Sequence, residues 1–229
     1  MKKILASVGN MLFPNICISC ESYLSFQEKW ICDYCYYTLP KFEDYQNSAN
    51  MVAQMFWGRV KLEMATSYLQ FKSTNHVQKV LHQIKYRGNT GLAEEMGKNM
   101  GICFKQISAI SNCDVVVPIP LHRRKKEIRG YNQSYLLAKG LCNVINRPLD
   151  AKSVERTMFT KTQTNKKRFD RHENTKNVFK IHKPNEFENR HVLLVDDVIT
   201  TGATIEACAT ELLKIKDCKV SVCSLAVSN

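Results

Sequence analysis

The apolar positions of this chain recur with two different spacings, and the alternation between them sets the first expectations. Val77, Val80, Leu81 and Ile84 fall three and four residues apart, which predicts a helix from about Asn75 to Lys85, with Ser73 and Thr74 available as caps. YRGN, Tyr86 to Asn89, interrupts that pattern. A second helix is predicted from Gly91 or Leu92 to Ile110, despite Gly97 and Gly101. A third, from about Asn132 to Ile145, carries Leu136, Leu137, Leu141 and Val144. Between and after these lie short β-branched runs. KLEMATSYLQFK, Lys61 to Lys72, contains a predicted strand. CDVVVPIP, Cys113 to Pro120, reads as a short buried strand ended by its two prolines. Further strands are predicted over 149–155, 178–182, 191–196 and 220–227, with a helix from about Thr201 to Ile215. Leu121 to Gly130 and Arg156 to His172 are cationic and read as loops. Strands that alternate with helices predict an α/β domain, a mainly parallel sheet with helices on both faces.

The run HVLL, His191 to Leu194, continues into VDDVITTGAT, Val195 to Thr204. A strand that reads as fully buried thus leads into two adjacent carboxylates, then small hydroxyl residues and a glycine. In open α/β sheets, ligands bind at the carboxyl ends of the strands. Gly202 permits a tight turn. The helix after it begins with amides that have no internal partner, at the positive end of its dipole. Thr200, Thr201 and Thr204 add hydroxyl donors to that phosphate cradle. The order, acceptors for sugar hydroxyls or a metal and then donors for a phosphate, matches a sugar phosphate. A helix cap needs only one carboxylate, and the acidic pocket of a receiver domain falls near the start of its domain. Neither G-x-x-x-x-G-K-[ST] nor G-x-G-x-x-G is present.

Charge sharpens this picture. Lys and Arg number 33 against 21 Asp and Glu, a net charge of +12, which favours anionic partners such as phosphates, pyrophosphate or nucleic acid. At 229 residues the chain can hold one large domain plus a small appendage. No apolar run reaches the length of a membrane span. Met1 to Pro14 is faintly like a signal peptide, but Gly9 and Asn10 interrupt it, and a short helix and a cytoplasmic location are expected.

Four of the ten cysteines form two C-x-x-C pairs, Cys17 with Cys20 and Cys32 with Cys35. Four thiolates suit a tetrahedral structural Zn²⁺, here in a compact zinc ribbon. A redox pair or disulfides are the alternatives. Residues 1–60 are therefore expected to form a zinc-ribbon-like module and linker, and 61–229 the α/β domain. Tyr23, Trp30, Tyr34, Tyr36 and Tyr37 either complete the small core of that module or offer faces for stacking bases of single strands.

VLLVDDVITTGAT resembles the phosphoribosyl-pyrophosphate (PRPP) motif of type I phosphoribosyltransferases. The resemblance implies that Asp196 and Asp197 contact ribose hydroxyls, and that Val198, Ile199, Thr200, Thr201, Gly202, Ala203 and Thr204 complete the PRPP site around the 5′-phosphate. Ala203 departs from the Gly of many members. HQIKYRG (82–88), PIPLHRR (118–124), RGYNQS (129–134), Arg156-Thr157 with TQT (162–164), and LFP (12–14) before CISC (17–20) are similar, in matching order, to the ComF-type competence family. By the same resemblance, Pro120, Leu121, His122, Arg123 and Arg124 form a pyrophosphate loop, with Lys125 and Lys126 adding charge. Lys161, Lys166, Lys167 and Arg168 belong to a mobile hood, and Mg²⁺ accompanies PRPP. His82, Lys85, Tyr86 and Arg87 either contact the ligand or favour a helix C-terminus.

Two functions follow as expectations. One is an enzyme that moves the phosphoribosyl group of PRPP to an acceptor or hydrolyses it. Thr200 stands where purine-using relatives carry an acid, which argues against a purine acceptor. There is no room for the glutamine-hydrolysing domain of phosphoribosylamine synthesis. The other is a non-catalytic protein of DNA uptake that handles single-stranded DNA or senses PRPP, alongside other competence proteins.

Overall fold

In the computed structural model the described residues are 15–71, 75–157 and 178–228. The expected helix within 1–14, the caps Ser73 and Thr74, the hood residues Lys161, Lys166, Lys167 and Arg168, and the matches at 12–14 and 162–164 lie outside them. The chain runs through α1 (Asp33–Tyr37), α2 (Met51–Gln54), β1 (Met64–Gln70), α3 (Asn75–Tyr86), α4 (Thr90–Phe104), α5 (Ser108–Ser111) and β2 (Val115–Pro118). It continues through α6 (Arg123–Arg129), α7 (Gln133–Ile145), β3 (Val154–Arg156), β4 (Phe179–Ile181), a 3-10 turn (Pro184–Phe187), β5 (His191–Ile199), α8 (Ala203–Leu212) and β6 (Lys219–Val227).

Four strands form one parallel sheet in the order β1-β6-β5-β2, while β3 and β4 pair antiparallel beside it. The expected α/β fold with a mainly parallel sheet is therefore observed. The central pair, β5 and β6, is apolar on both faces. Leu193 and Val195 look into a core closed by α3, α4 and α7, and Val192 and Leu194 into one closed by α8. Each such side chain, removed from water on both sides, stabilises the fold by about 1.5–3 kcal/mol.

Residues 39–60 pack along the sheet. Lys41 bridges to Leu69, Phe42 N–H donates to the Tyr68 carbonyl at 3.0 Å, and Asn50 Nδ2 reaches the Ala65 carbonyl at 2.8 Å. This segment covers the free edge of β1, which would otherwise expose its backbone groups. Its Val52 and Phe56 are buried in the same core as Leu194.

Other boundaries differ from expectation for local reasons. The basic stretch expected as a loop is helical over α6. His122 Nδ1 accepts from Arg124 N–H at 3.3 Å, Arg123 pairs with Glu127 one turn on at 3.0 Å, and Gly130 ends the helix in the left-handed conformation. The helix expected to run to Ile110 stops at Phe104; the chain turns so that Ile107, just before α5, and Ile110, within it, enter the core. The strand expected over 149–155 is reduced to β3, although Leu149 forms a bridge with Val116.

Gly97 is required where the second helix passes its neighbour. A methyl on it would lie 2.1 Å from the Leu137 carbonyl oxygen, and one on Gly140 would lie 2.0 Å from the Glu94 carbonyl oxygen. The backbones of α4 and α7 thus touch, and no rotamer can relieve a Cβ there. Gly140→Ala should lower stability by about 1–3 kcal/mol in urea unfolding, because overpacking outweighs the gain in helix propensity; an unchanged or higher midpoint would contradict this packing.

Candidate functional site

β5 extends beyond its ladder with β2, whose last rung pairs Pro118 with Val195. Asp196 and Asp197 are the next two residues, and the N-terminus of α7 meets them there. Asn132 caps that helix by accepting from Ser134 N–H at 3.1 Å, and its own amide is anchored on the Ile119 carbonyl at 3.0 Å. The first turn is thereby held over the sheet. Ser134 Oγ donates to Asp196 Oδ1 at 3.0 Å, and Gln133 Nε2 to Asp197 Oδ2 at 2.8 Å. The positive end of the α7 dipole faces the acids as well. On the other side Lys85, at the end of α3, places Nζ 3.3 Å from Asp197 Oδ2.

The two carboxylates are unequal. Asp197 is 6% exposed and rests on Lys85 and Gln133. Burial, and then the Asp197 charge, push the Asp196 carboxyl up from 3.8 to about 7; the Asp197 N–H, Ser134 and Lys85 oppose that shift. Arg156 on β3 acts on Asp196 too, and burial depresses the guanidinium's own pKa. Lys125 on α6 is drawn below its ordinary value by burial first, then by Arg156, Arg129 and Lys85. Lys85, Lys125, Arg129 and Arg156 are thus gathered around two carboxylates, a surplus of positive charge. Among the described residues, Gln133 Oε1 is a buried acceptor with no hydrogen-bond partner.

After Asp197 the chain completes β5 with Val198 and Ile199, then turns through Thr200, Thr201 and Gly202 into α8. Gly202 has φ +73°, and a Cβ on it would lie 2.8 Å from Phe56 Cε1, so both conformation and space demand glycine. Thr201 Oγ1 accepts from Ala203 N–H at 3.4 Å. The remaining first-turn amides and the helix dipole make this end of α8 suited to a phosphate.

Residues 132–228 match the model of the phosphoribosyl transferase domain. The chain is 31% identical over 138 residues to the DNA utilization protein YhgH of Escherichia coli (strain K12), covering 59% of this chain and 60% of that one. It is 38% identical over 114 residues to Competence protein F of Haemophilus influenzae, covering 49% and 50%. It is 30% identical over 138 residues to Competence protein ComFC of Bacillus subtilis, covering 60% and 54%. Over about half or more of its length the chain is thus similar to ComF-type competence and DNA utilization proteins, and the similarity includes a phosphoribosyl transferase domain. The matched region spans 60% of the first of these relatives.

The fold brings only part of the expected pyrophosphate loop to the acids. Arg123 and Arg124 are exposed, and Arg123 is engaged with Glu127. Lys125 and Arg129, one turn apart on α6, are half-buried, and Arg129 lies over the Tyr86 ring at 5.2 Å. Gln133 and Ser134, which lie within RGYNQS, gain their role only from the fold. Their signal was a polar run directly before an apolar helix, at the position of a helix first turn.

The four-cysteine segment forms a separate centre. Its sulfurs all lie within 4.8 Å of one another, and Cys20 and Cys32 are 3.7 Å apart. Tetrahedral zinc with bonds of about 2.3 Å separates its sulfurs by a similar distance. Backbone N–H groups of Ser19 and Cys32 point at Cys17 Sγ, each at 3.4 Å. None of the four is in a disulfide. The cluster is compatible with a zinc module. It docks on the domain through Lys79 Nζ, which donates to the Ser19 carbonyl at 2.6 Å, and through a hydrogen bond between Ser19 and His76. Among the described residues no helix is long and apolar enough to cross a membrane.

Two outcomes are expected. Folded Asp196 keeps a proton that the unfolded chain releases near pH 4, so its contribution is complete below that pH and is lost as pH rises through about 7. Asp196→Asn should therefore be more stable than wild type at pH 8, with the difference shrinking towards pH 4 in denaturant titrations; parallel pH curves would contradict this. Elemental analysis of purified protein should find about one zinc per chain, absent from Cys32→Ser, with stripping by a chelator lowering the melting temperature.

Proposed function

We propose that this protein binds PRPP with Mg²⁺ at the end of β5 and acts on the bond between C1 of the ribose and the pyrophosphate. The observation that carries this reading is one juxtaposition. A carboxylate pair lies among Lys85, Lys125, Arg129 and Arg156, and the chain then leads directly into the open amides of α8. A ligand with hydroxyls, a terminal phosphate and a diphosphate uses all three features.

In this reading Asp196 and Asp197 accept from the ribose hydroxyls, and Gln133 Oε1 gains the donor it lacks. Thr200 to Thr204 hold the 5′-phosphate. Lys125 and Arg129 extend the role of Pro120 to Arg124 and meet the diphosphate, with Lys161, Lys166, Lys167 and Arg168 as the proposed hood. The carboxylate pair also suits Mg²⁺, which when bound supplies charge that stabilises a departing pyrophosphate. The C1–O bond breaks with its electron pair on pyrophosphate. A lone pair of the acceptor, or of water, forms the new bond at C1, and its proton passes to solvent. The cations around the site offset the charge that grows on the leaving group.

A second reading, non-catalytic handling of single-stranded DNA, is supported by Tyr23, Phe26, Tyr34 and Tyr37, all strongly exposed on or beside the cysteine segment of a chain of net charge +12. The names of the relatives associate those proteins with competence and DNA utilization.

Calorimetric titration with PRPP and Mg²⁺ should give saturable heat in wild type and at least about tenfold weaker binding in Asp196→Asn/Asp197→Asn; equal heats would remove the ligand assignment. Pyrophosphate release on addition of acceptors then separates the readings. Release supports the enzyme. Binding of PRPP without release, together with single-strand affinity that falls steeply with salt, supports the second.

A further inference from the structure

We propose that Arg59 is a positioning residue for the phosphate cradle, so that a residue from the segment preceding the sheet completes the site. The inference rests on reading Thr200 to Thr204 as the place of the 5′-phosphate. Arg59 approaches that turn from 142 residues upstream. Its Nη1 donates to the carbonyls of Met55 and Thr201, each at 2.9 Å, and its Nη2 donates to Glu206. One planar guanidinium thus joins the end of α2, the peptide that enters Gly202 and the first turn of α8.

Each contact has a consequence for an anion in the turn. Fastening the Thr201 carbonyl fixes its peptide plane. In a trans peptide the N–H of the next residue points away from that carbonyl, so the Gly202 amide is directed away from Arg59. A donor held in place before the ligand arrives needs no reorganisation on binding. Glu206 lies in the first turn of α8, where a carboxylate is favoured by the dipole and competes with a phosphate for it. Pairing with Arg59 neutralises that competitor.

The support behind Arg59 is rigid. Phe56, 1% exposed, packs against Gly202 so closely that a Cβ there would be 2.8 Å from its ring. Gly58, with φ +71°, reverses the chain, and the N–H groups of Arg59 and Val60 both return to the Phe56 carbonyl, at 3.0 and 3.1 Å. A buried ring and a forked cation therefore back the turn from one short segment.

The test compares two variants that break one ion pair in opposite senses, with ribose 5-phosphate as probe. Arg59→Ala should weaken binding about tenfold or more, because the turn is loosened and Glu206 is left charged beside the phosphate. Glu206→Gln should bind as well as wild type or better, because the competing charge is gone and Arg59 still holds Thr201. Arg59→Lys should recover only part, since one ammonium cannot reproduce the fork. Equal binding by wild type and Arg59→Ala would overturn the proposal, as would equal weakening in Arg59→Ala and Glu206→Gln, the pattern of a merely structural ion pair. Wild type that binds neither ribose 5-phosphate nor PRPP would instead overturn the reading of the site itself.

Discussion

Two carboxylates on adjacent residues at the end of a buried strand repel each other, and much of the molecule is arranged around that repulsion. Asp197 is relieved by Lys85 and Gln133. Asp196 has Ser134 and the Asp197 N–H, and its carboxyl is still pushed up to about 7. These partners come from α3, α7 and β5 itself, so the pair joins three elements that are far apart in the chain. The arrangement needs α7 to begin at one height above the sheet. The Asn132 anchor on Ile119 sets that height, and the contact between Gly97 and Leu137 lets α7 lie flat on α4.

The same constraint explains where the positive charge is useful. A net charge of +12 spread over a surface would only attract anions in general. Here Lys125 and Arg129 sit on the inner face of α6, while Arg123 and Arg124 face water. Lys125 is destabilised by its cationic neighbours as well as by burial. A group of cations that disfavour one another, next to acids that do the same, is a polar site held under electrostatic stress. In the proposed function, a ligand bearing both hydroxyls and multiple negative charges would relieve both halves.

The cysteine segment and the segment after it serve the sheet in different ways. The knuckle around Ser19 is tied to α3 by Lys79 and His76, at the opposite end of the helix from Lys85. Residues 39–60 cover the edge of β1 and end in Phe56 and Arg59, against the turn before α8. The four-cysteine cluster, the edge cover and the turn before α8 are thus joined by direct contacts to the same sheet and helices.

Much of this was legible in order. The buried strand before Asp196, the glycine turn and the flanking helices follow from apolar spacing and from the limited backbone choices of each residue type, which are local properties. The C-x-x-C pairs likewise announced four cysteine sulfurs at close range. The helical state of Arg123–Arg129 was missed because a histidine cap and a single ion pair are weak local signals beside so much like charge. Gln133, Ser134, Arg129 and Arg59 could not be assigned from the chain alone. Their roles depend on which groups they face, and those groups lie between 62 and 142 residues away in the cases of Ser134, Gln133 and Arg59. Local chemistry determined that this chain carries an acidic pair before a glycine turn that opens a helix. Only the packing of helices on the sheet decided which cations, amides and hydroxyls meet it, because that depends on the distances folding creates between residues remote in sequence.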